Sequence, residues 1–123
     1  MKPIQEANRY LENAKEILSS KAKKEDGYYQ DKKYIKMAGH TAYSGVLVAL
    51  DAVLPQKKGR KSIEWYKEEV SKLDKKILNQ LDTVYEQLHL VMGYDGQGKE
   101  SIIKEGFKDA EKIIQWVEMR IAA

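Results

Sequence analysis

Two histidines, His40 and His89, are the residues best suited to acid–base or metal chemistry, because imidazole titrates near neutral pH and ligates transition metals. His89 closes a Glu86-Gln87-Leu88-His89 run, and an i, i+3 spacing on an α-helix puts both side chains on one face. Di-iron bundles use two such Glu-x-x-His pairs together with two further glutamates. Here the pair occurs once, and the residue three before His40 is Met37. The pattern therefore predicts no metal site and no cofactor. His40 and Ser44 lie one turn apart, but no acidic residue stands at a spacing that would orient His40 as a base for a nucleophile. Ser44 and Thr41 are expected to satisfy helix carbonyls, with His40 hydrogen-bonded inside the bundle or at its edge. His40, His89 and Tyr94 remain as a candidate polar site, and no catalytic residue is assigned.

Glycine-rich phosphate cradles need a spacing such as G-x-x-x-x-G-K-[ST] between a strand and a helix. The Gly93 to Gly98 segment has neither the Lys-Ser/Thr ending nor a preceding strand pattern, so it reads as a loop. Tyr94, Asp95 and Gly98 precede a helix N-terminus, which attracts anions only weakly. Basic residues cluster at Lys21, Lys23 and Lys24, near Tyr28 and Tyr29, and again from Lys57 to Lys61. Lysines beside tyrosines suit single-stranded nucleic acid. In an up-and-down bundle, however, the first and second loops are at opposite ends, so the two clusters form no single groove. They read as solvated loops, and nucleic acid is the weaker partner expectation.

Helical periodicity runs throughout. Ile4, Ala7, Tyr10, Leu11, Ala14, Ile17 and Leu18 recur at steps of three and four, predicting a first helix over about residues 3–22. Lys23 to Gln30 breaks the pattern, with Gly27 as the turn residue. The second helix, about Asp31 to Leu54, carries Asp51 as its only charge after Met37, which places it centrally. Its small residues Ala38, Ala42, Gly45 and Ala49 allow a neighbouring helix to approach closely. Pro55 ends it. Beyond the Ser62 N-cap, Ile63, Tyr66, Val70, Leu73, Ile77, Leu81, Val84, Leu88 and Val91 follow at helical spacing. Thirty unbroken residues are long for so small a chain, so a break near Asp74 is expected. Gly93 and the Asp95–Gly98 cluster should end this region.

A last helix over about Ser101 to Ile121 gathers Ile103, Phe107, Ala110, Ile113, Ile114, Val117 and Ile121 into one apolar arc. Beside that arc lie Ile102, Asp109, Trp116 and Arg120, a mixed flank of the kind found at the edge of a partner surface. No strand pattern and no internal repeat appear. Short loops between amphipathic helices predict an all-α, antiparallel up-and-down bundle of four to five helices, forming one domain over residues 1–123.

Composition agrees with this reading. The 123 residues carry 22 Lys and Arg against 19 Asp and Glu, for a formal net charge of +3. Only Arg9, Arg60 and Arg120 supply the rigid guanidinium fork that suits phosphate and base edges, so the basic balance argues weakly for nucleic acid. The lack of cysteine excludes disulfides, thiolate zinc sites and cysteine nucleophiles. The start shows no secretory signal, and the apolar stretch from Ala42 to Leu54 is too short for a membrane span, so a cytoplasmic protein is expected.

With the helices placed, the chain resembles the HEPN superfamily of small helical bundles, and more narrowly an uncharacterised group of small bacterial HEPN-like proteins. The likeness is carried by Ala42-Tyr43-Ser44-Gly45-Val46-Leu47-Val48-Ala49-Leu50. It extends from Leu88 through Tyr94-Asp95 and along Ser101 to Glu118, with Ala110-Glu111 in register. The resemblance implies the bundle fold and a homodimer. Catalytic members of that family are metal-independent ribonucleases with an Arg and a following His separated by four to six residues. Neither His40 nor His89 has such an arginine; Lys33 stands before His40, and Asp82, Thr83 and Val84 occupy the matching positions before His89. No family catalytic residue carries over, which argues against an enzyme. A non-catalytic binding or assembly module, homodimeric or bound to another protein, is the expectation; a nucleotide- or RNA-binding protein with at most residual nuclease activity is the alternative.

Overall fold

A computed structural model describes residues 2–122. Helix α1 (Lys2–Lys21) buries Ile4, Ala7, Leu11, Ala14 and Leu18, the stripe its spacing demands, and leaves Tyr10 and Ile17 half-buried. Two residues later the chain forms a minimal hairpin, β1 (Lys24–Glu25) and β2 (Tyr28–Tyr29), paired antiparallel with Glu25 opposite Tyr28. The turn between them, Asp26-Gly27, has φ of 50° and 80°. Both central residues are left-handed, as a two-residue hairpin turn of matching twist requires. The strands are too short to show alternation, so the sequence reading registered only a turn at Gly27.

Asp31 caps α2 (Lys32–Asp51), its carboxylate accepting from the Lys33 N–H. Ala38, Ala42, Gly45 and Ala49 are all buried, and α1 packs along this central helix. The helix stops at Asp51, three residues short of the expected Leu54; Ala52 to Leu54 form a turn before Pro55. Ser62 caps α3 (Ile63–Ser71) through its hydroxyl and the Trp65 N–H. The break expected near Asp74 is present, since the Asp74 carboxylate accepts from the N–H groups of Lys76 and Ile77 at the start of α4 (Lys75–Val84). Replacing Asp74 with alanine removes both bonds and is expected to cost about 1 kcal/mol in urea unfolding.

Three expectations for this stretch need correction. The region ends in the expected Asp95–Gly98 loop, but its last ten residues, Tyr85–Tyr94, are π-helical and not a continuation of the α-helical pitch. Val91 is half-buried, and Met92 is the fully buried residue. Leu73, which falls in the break between α3 and α4, is 40% exposed. The final helix, α5 (Glu100–Ala122), buries Ile103, Gly106, Phe107, Ala110, Ile113, Ile114 and Val117. Ile121, expected in the same arc, is 38% exposed.

The hairpin also pairs with the far loop. The Tyr29 N–H donates to the Gly98 carbonyl at 2.8 Å and the Glu100 N–H to the Gly27 carbonyl at 3.0 Å. Lys24 Nζ reaches the Glu100 carboxylate at 2.6 Å, which raises the lysine pKa and lowers that of the glutamate. The loops after α1 and after the π-helical segment therefore share one end of an antiparallel, up-and-down, all-α bundle, and the Pro55–Lys61 loop lies at the other. One hydrophobic cluster draws on all five helices, and no polar or charged residue is buried among the described residues.

Candidate functional site

The π-helical segment positions the residues with chemistry. An i→i+5 ladder advances each residue by roughly 80° rather than the 100° of an α-helix. On an α-helix His89 and Tyr94 would stand roughly 140° apart; here they face the same side. Their ring centroids are 5.2 Å apart. The same change turns Glu86 away from His89, to roughly 120° instead of 60°, so the Glu-x-x-His pair loses its shared face. No grouping of three or more His, Asp or Glu side chains able to hold a metal ion occurs among the described residues.

Helix α2 supplies the opposite wall because it can approach the segment without side chains between them. Gly39 lies against the Leu88 carbonyl and Met92, and Gly93 lies beneath the His40 ring. The result is an aromatic cluster. His40 meets His89 edge-on at 5.5 Å and Tyr94 at 6.1 Å. His89, Tyr43 and Tyr85 form a triangle of rings: His89 is 4.7 Å from Tyr43 and 5.1 Å from Tyr85, each tilted by about 30°, and the two tyrosines meet edge-on at 5.9 Å. Such tilted and edge-to-face pairs are favourable beyond their buried area. Tyr43 is buried and His89 half-buried, whereas His40 and Tyr94 are exposed. The structure thus brings His40, His89 and Tyr94 together, and adds Tyr43 and Tyr85, which sequence reasoning did not place there. Tyr85 stands four residues before His89, a spacing that already implied contact.

Two rings at the centre of this cluster, His89 and Tyr43, are held in their neutral forms near neutral pH. Burial, with His40 as a second cause, lowers the His89 pKa, and its Nδ1 is buried with no hydrogen-bond partner. Burial raises the Tyr43 pKa far above the usual phenol value, helped by Tyr85 and Glu64. A depressed histidine pKa stabilises the fold above the ordinary value of 6.5, and that contribution is lost as pH falls through the folded value. The groups around His89 are His40, Tyr43, Tyr85, Tyr94, Arg60, Lys61 and Glu64. Unfolding free energy is expected to decline below pH 6.5, and His89→Phe, which keeps a ring without a titrating nitrogen, to flatten that part of the profile.

A hollow of about 330 Å³ opens beside the cluster, bounded by Tyr43, Tyr85 and His89 and by Arg60, Lys61 and Glu64 at the start of α3. Lys61 is held by Asp51 at 2.9 Å, and the Tyr66 hydroxyl donates to the same carboxylate at 2.8 Å.

The flank of α5 is arranged differently. Ile102 is half-buried and borders a wide cleft of about 840 Å³ between the hairpin and the Asp95–Gly98 loop, with Val91 across from it. Asp109 is half-buried, and burial raises its pKa, with Lys112 opposing. Trp116 packs against the core with its outer face under the Arg120 guanidinium, 5.0 Å from the ring centroid. The two lysine clusters lie at opposite ends of the bundle; Lys21 and Lys33 both lie over the Tyr34 ring.

No helix among the described residues is long and apolar enough to cross a membrane. No curated protein matches the chain. Its structure is similar to that of a protein of unknown function from Dyadobacter fermentans, with a TM-score of 0.95 and 61% sequence identity over 97% of this chain and 96% of that one. Residues 2–119, nearly the whole length, match one family, and the chain accordingly belongs to the family described as a domain of unknown function, DUF5618.

Proposed function

We propose that the chain is a single-domain, non-catalytic binding or assembly module of HEPN-like type, acting as a homodimer in the cytoplasm. The observation that carries this reading is the exposed edge of α5. Trp116, Met119 and Arg120 lie within roughly 100° of helical arc, with Ile102 and Asp109 on the same flank toward the N-terminus. Met119 is 73% exposed, the most exposed of the large apolar side chains on the described surface. A half-buried tryptophan stacked under an arginine and bordered by an exposed methionine has the composition of an interface centre. The missing Arg-x4–6-His pair supports a role without ribonuclease chemistry.

Light scattering across a concentration series tests the reading. The protein is expected to run at twice the monomer mass, and Trp116→Ala to weaken self-association about 30-fold or more, as loss of a central aromatic does. A strict monomer at high concentration overturns the dimer.

A further inference from the structure

The hollow beside the aromatic cluster is explained neither by the packing of the bundle nor by the α5 edge. Its floor is the triangle of Tyr43, His89 and Tyr85 rings, and its rim is formed by Arg60, Lys61 and Glu64. The nearby cations differ in availability. Lys61 is paired with Asp51 at 2.9 Å, and Lys67, which lies 5.1 Å from the Tyr85 ring centroid, is paired with Asp82 at 3.0 Å. Arg60 has no carboxylate within 4.0 Å among the described residues. An exposed guanidinium at the edge of a ring-lined hollow offers a bidentate fork to an oxyanion and a π surface to whatever carries it. The volume lies at the lower limit of small-molecule sites, enough for one ring system. Glu64 on the same rim repels a second anionic group and favours a ligand charged at one end only.

We propose that this hollow binds a small aromatic oxyanion, a single ring bearing a phosphate or carboxylate, with the oxyanion on Arg60 and the ring against the Tyr43, His89 and Tyr85 rings. Recognition has two parts, and each fails without the other. A bare phosphate would find only one uncommitted cation with two carboxylates, Asp51 and Glu64, close by. A neutral ring would gain only stacking. Because burial and His40 keep His89 neutral, the attraction for the anion belongs to Arg60.

The test is a titration of the full chain, followed through the His89 ring resonances, with phenyl phosphate, benzoate and inorganic phosphate as probes. Saturable shifts with at least one aryl anion at millimolar concentration, and weaker binding of inorganic phosphate, are the expected results. Arg60→Gln is expected to weaken aryl anion binding about tenfold, the loss of one charge-assisted contact, and Tyr85→Leu to weaken it as well. Lys57→Gln, in the same loop but outside the hollow, should leave it unchanged. Arg60 and Lys57 are exposed, so the fold of those variants should be intact, with their spectra away from the hollow matching the parent's. The proposal is overturned if neither aryl anion shifts His89, if inorganic phosphate binds as tightly as phenyl phosphate, or if Arg60→Gln binds unchanged. Binding of a single-stranded RNA without binding of either aryl anion also overturns it. None of these readouts depends on the α5 edge, so failure of the dimer and failure of this site are separately visible.

Discussion

Gly39→Ala is expected to lower the unfolding free energy by about 3 kcal/mol and the thermal midpoint by roughly 10 °C. Helix propensity alone predicts the opposite, because alanine is favoured over glycine by about 1 kcal/mol inside a helix. The steric term wins here. A methyl group at position 39 would lie 2.5 Å from the Leu88 carbonyl oxygen, 2.7 Å from the Met92 Cβ and 2.9 Å from the Gly93 nitrogen. Two of those atoms are backbone in the π-helical segment, so no rotamer change relieves the clash and α2 must move away. The move would carry His40 off Gly93 and loosen the histidine–tyrosine cluster. Ser44→Ala, on an exposed position of the same helix, serves as the control and should be neutral or slightly stabilising. Urea unfolding of both variants decides the matter, and a Gly39→Ala protein as stable as the parent would contradict the close approach.

A second large effect separates two neighbouring residues. Met92→Ala is expected to cost about 3 kcal/mol, whereas Val91→Ala should cost about 1 kcal/mol or less. Met92 is fully buried and Val91 half-buried. On a regular α-helix the series Ile77, Leu81, Val84, Leu88 continues to Val91, and the two costs would be reversed. On the observed segment the step after Leu88 lengthens from three to four, to Met92, because each residue turns through a smaller angle. The pair of substitutions thus reads the helical pitch from stability alone.

Much of the bundle was legible in the sequence. The apolar stripe of α1, the small-residue stripe of α2, the Ser62 cap and the Asp74 break follow from side-chain spacing and from oxygen atoms able to satisfy first-turn N–H groups. What was missed depends on tertiary contact. The pitch change at Tyr85 has no composition signal, since Leu, Val and Met at 88, 91 and 92 fit either ladder. Ile121 continues the α5 pattern by spacing yet is 38% exposed. In the site, His40, His89 and Tyr94 were named by residue type. Tyr43 and Tyr85 fall outside the apolar series of α2 and of residues 63–91 and carry no chemical signature of their own, and Arg60 sits within a solvated lysine loop.

The clasp between the hairpin and the Gly98–Glu100 segment has a kinetic consequence. Its two backbone bonds join residues about seventy positions apart in the chain, Tyr29 with Gly98 and Gly27 with Glu100. Loop-closure entropy delays such long-range pairing until the intervening helices have already drawn the ends together. The amides of Tyr29 and Glu100 therefore belong to one cooperative opening unit although they lie near opposite ends of the chain. In native-state hydrogen exchange they should lose protection together, with a shared denaturant slope, marking the last part of the molecule to close and the first to reopen.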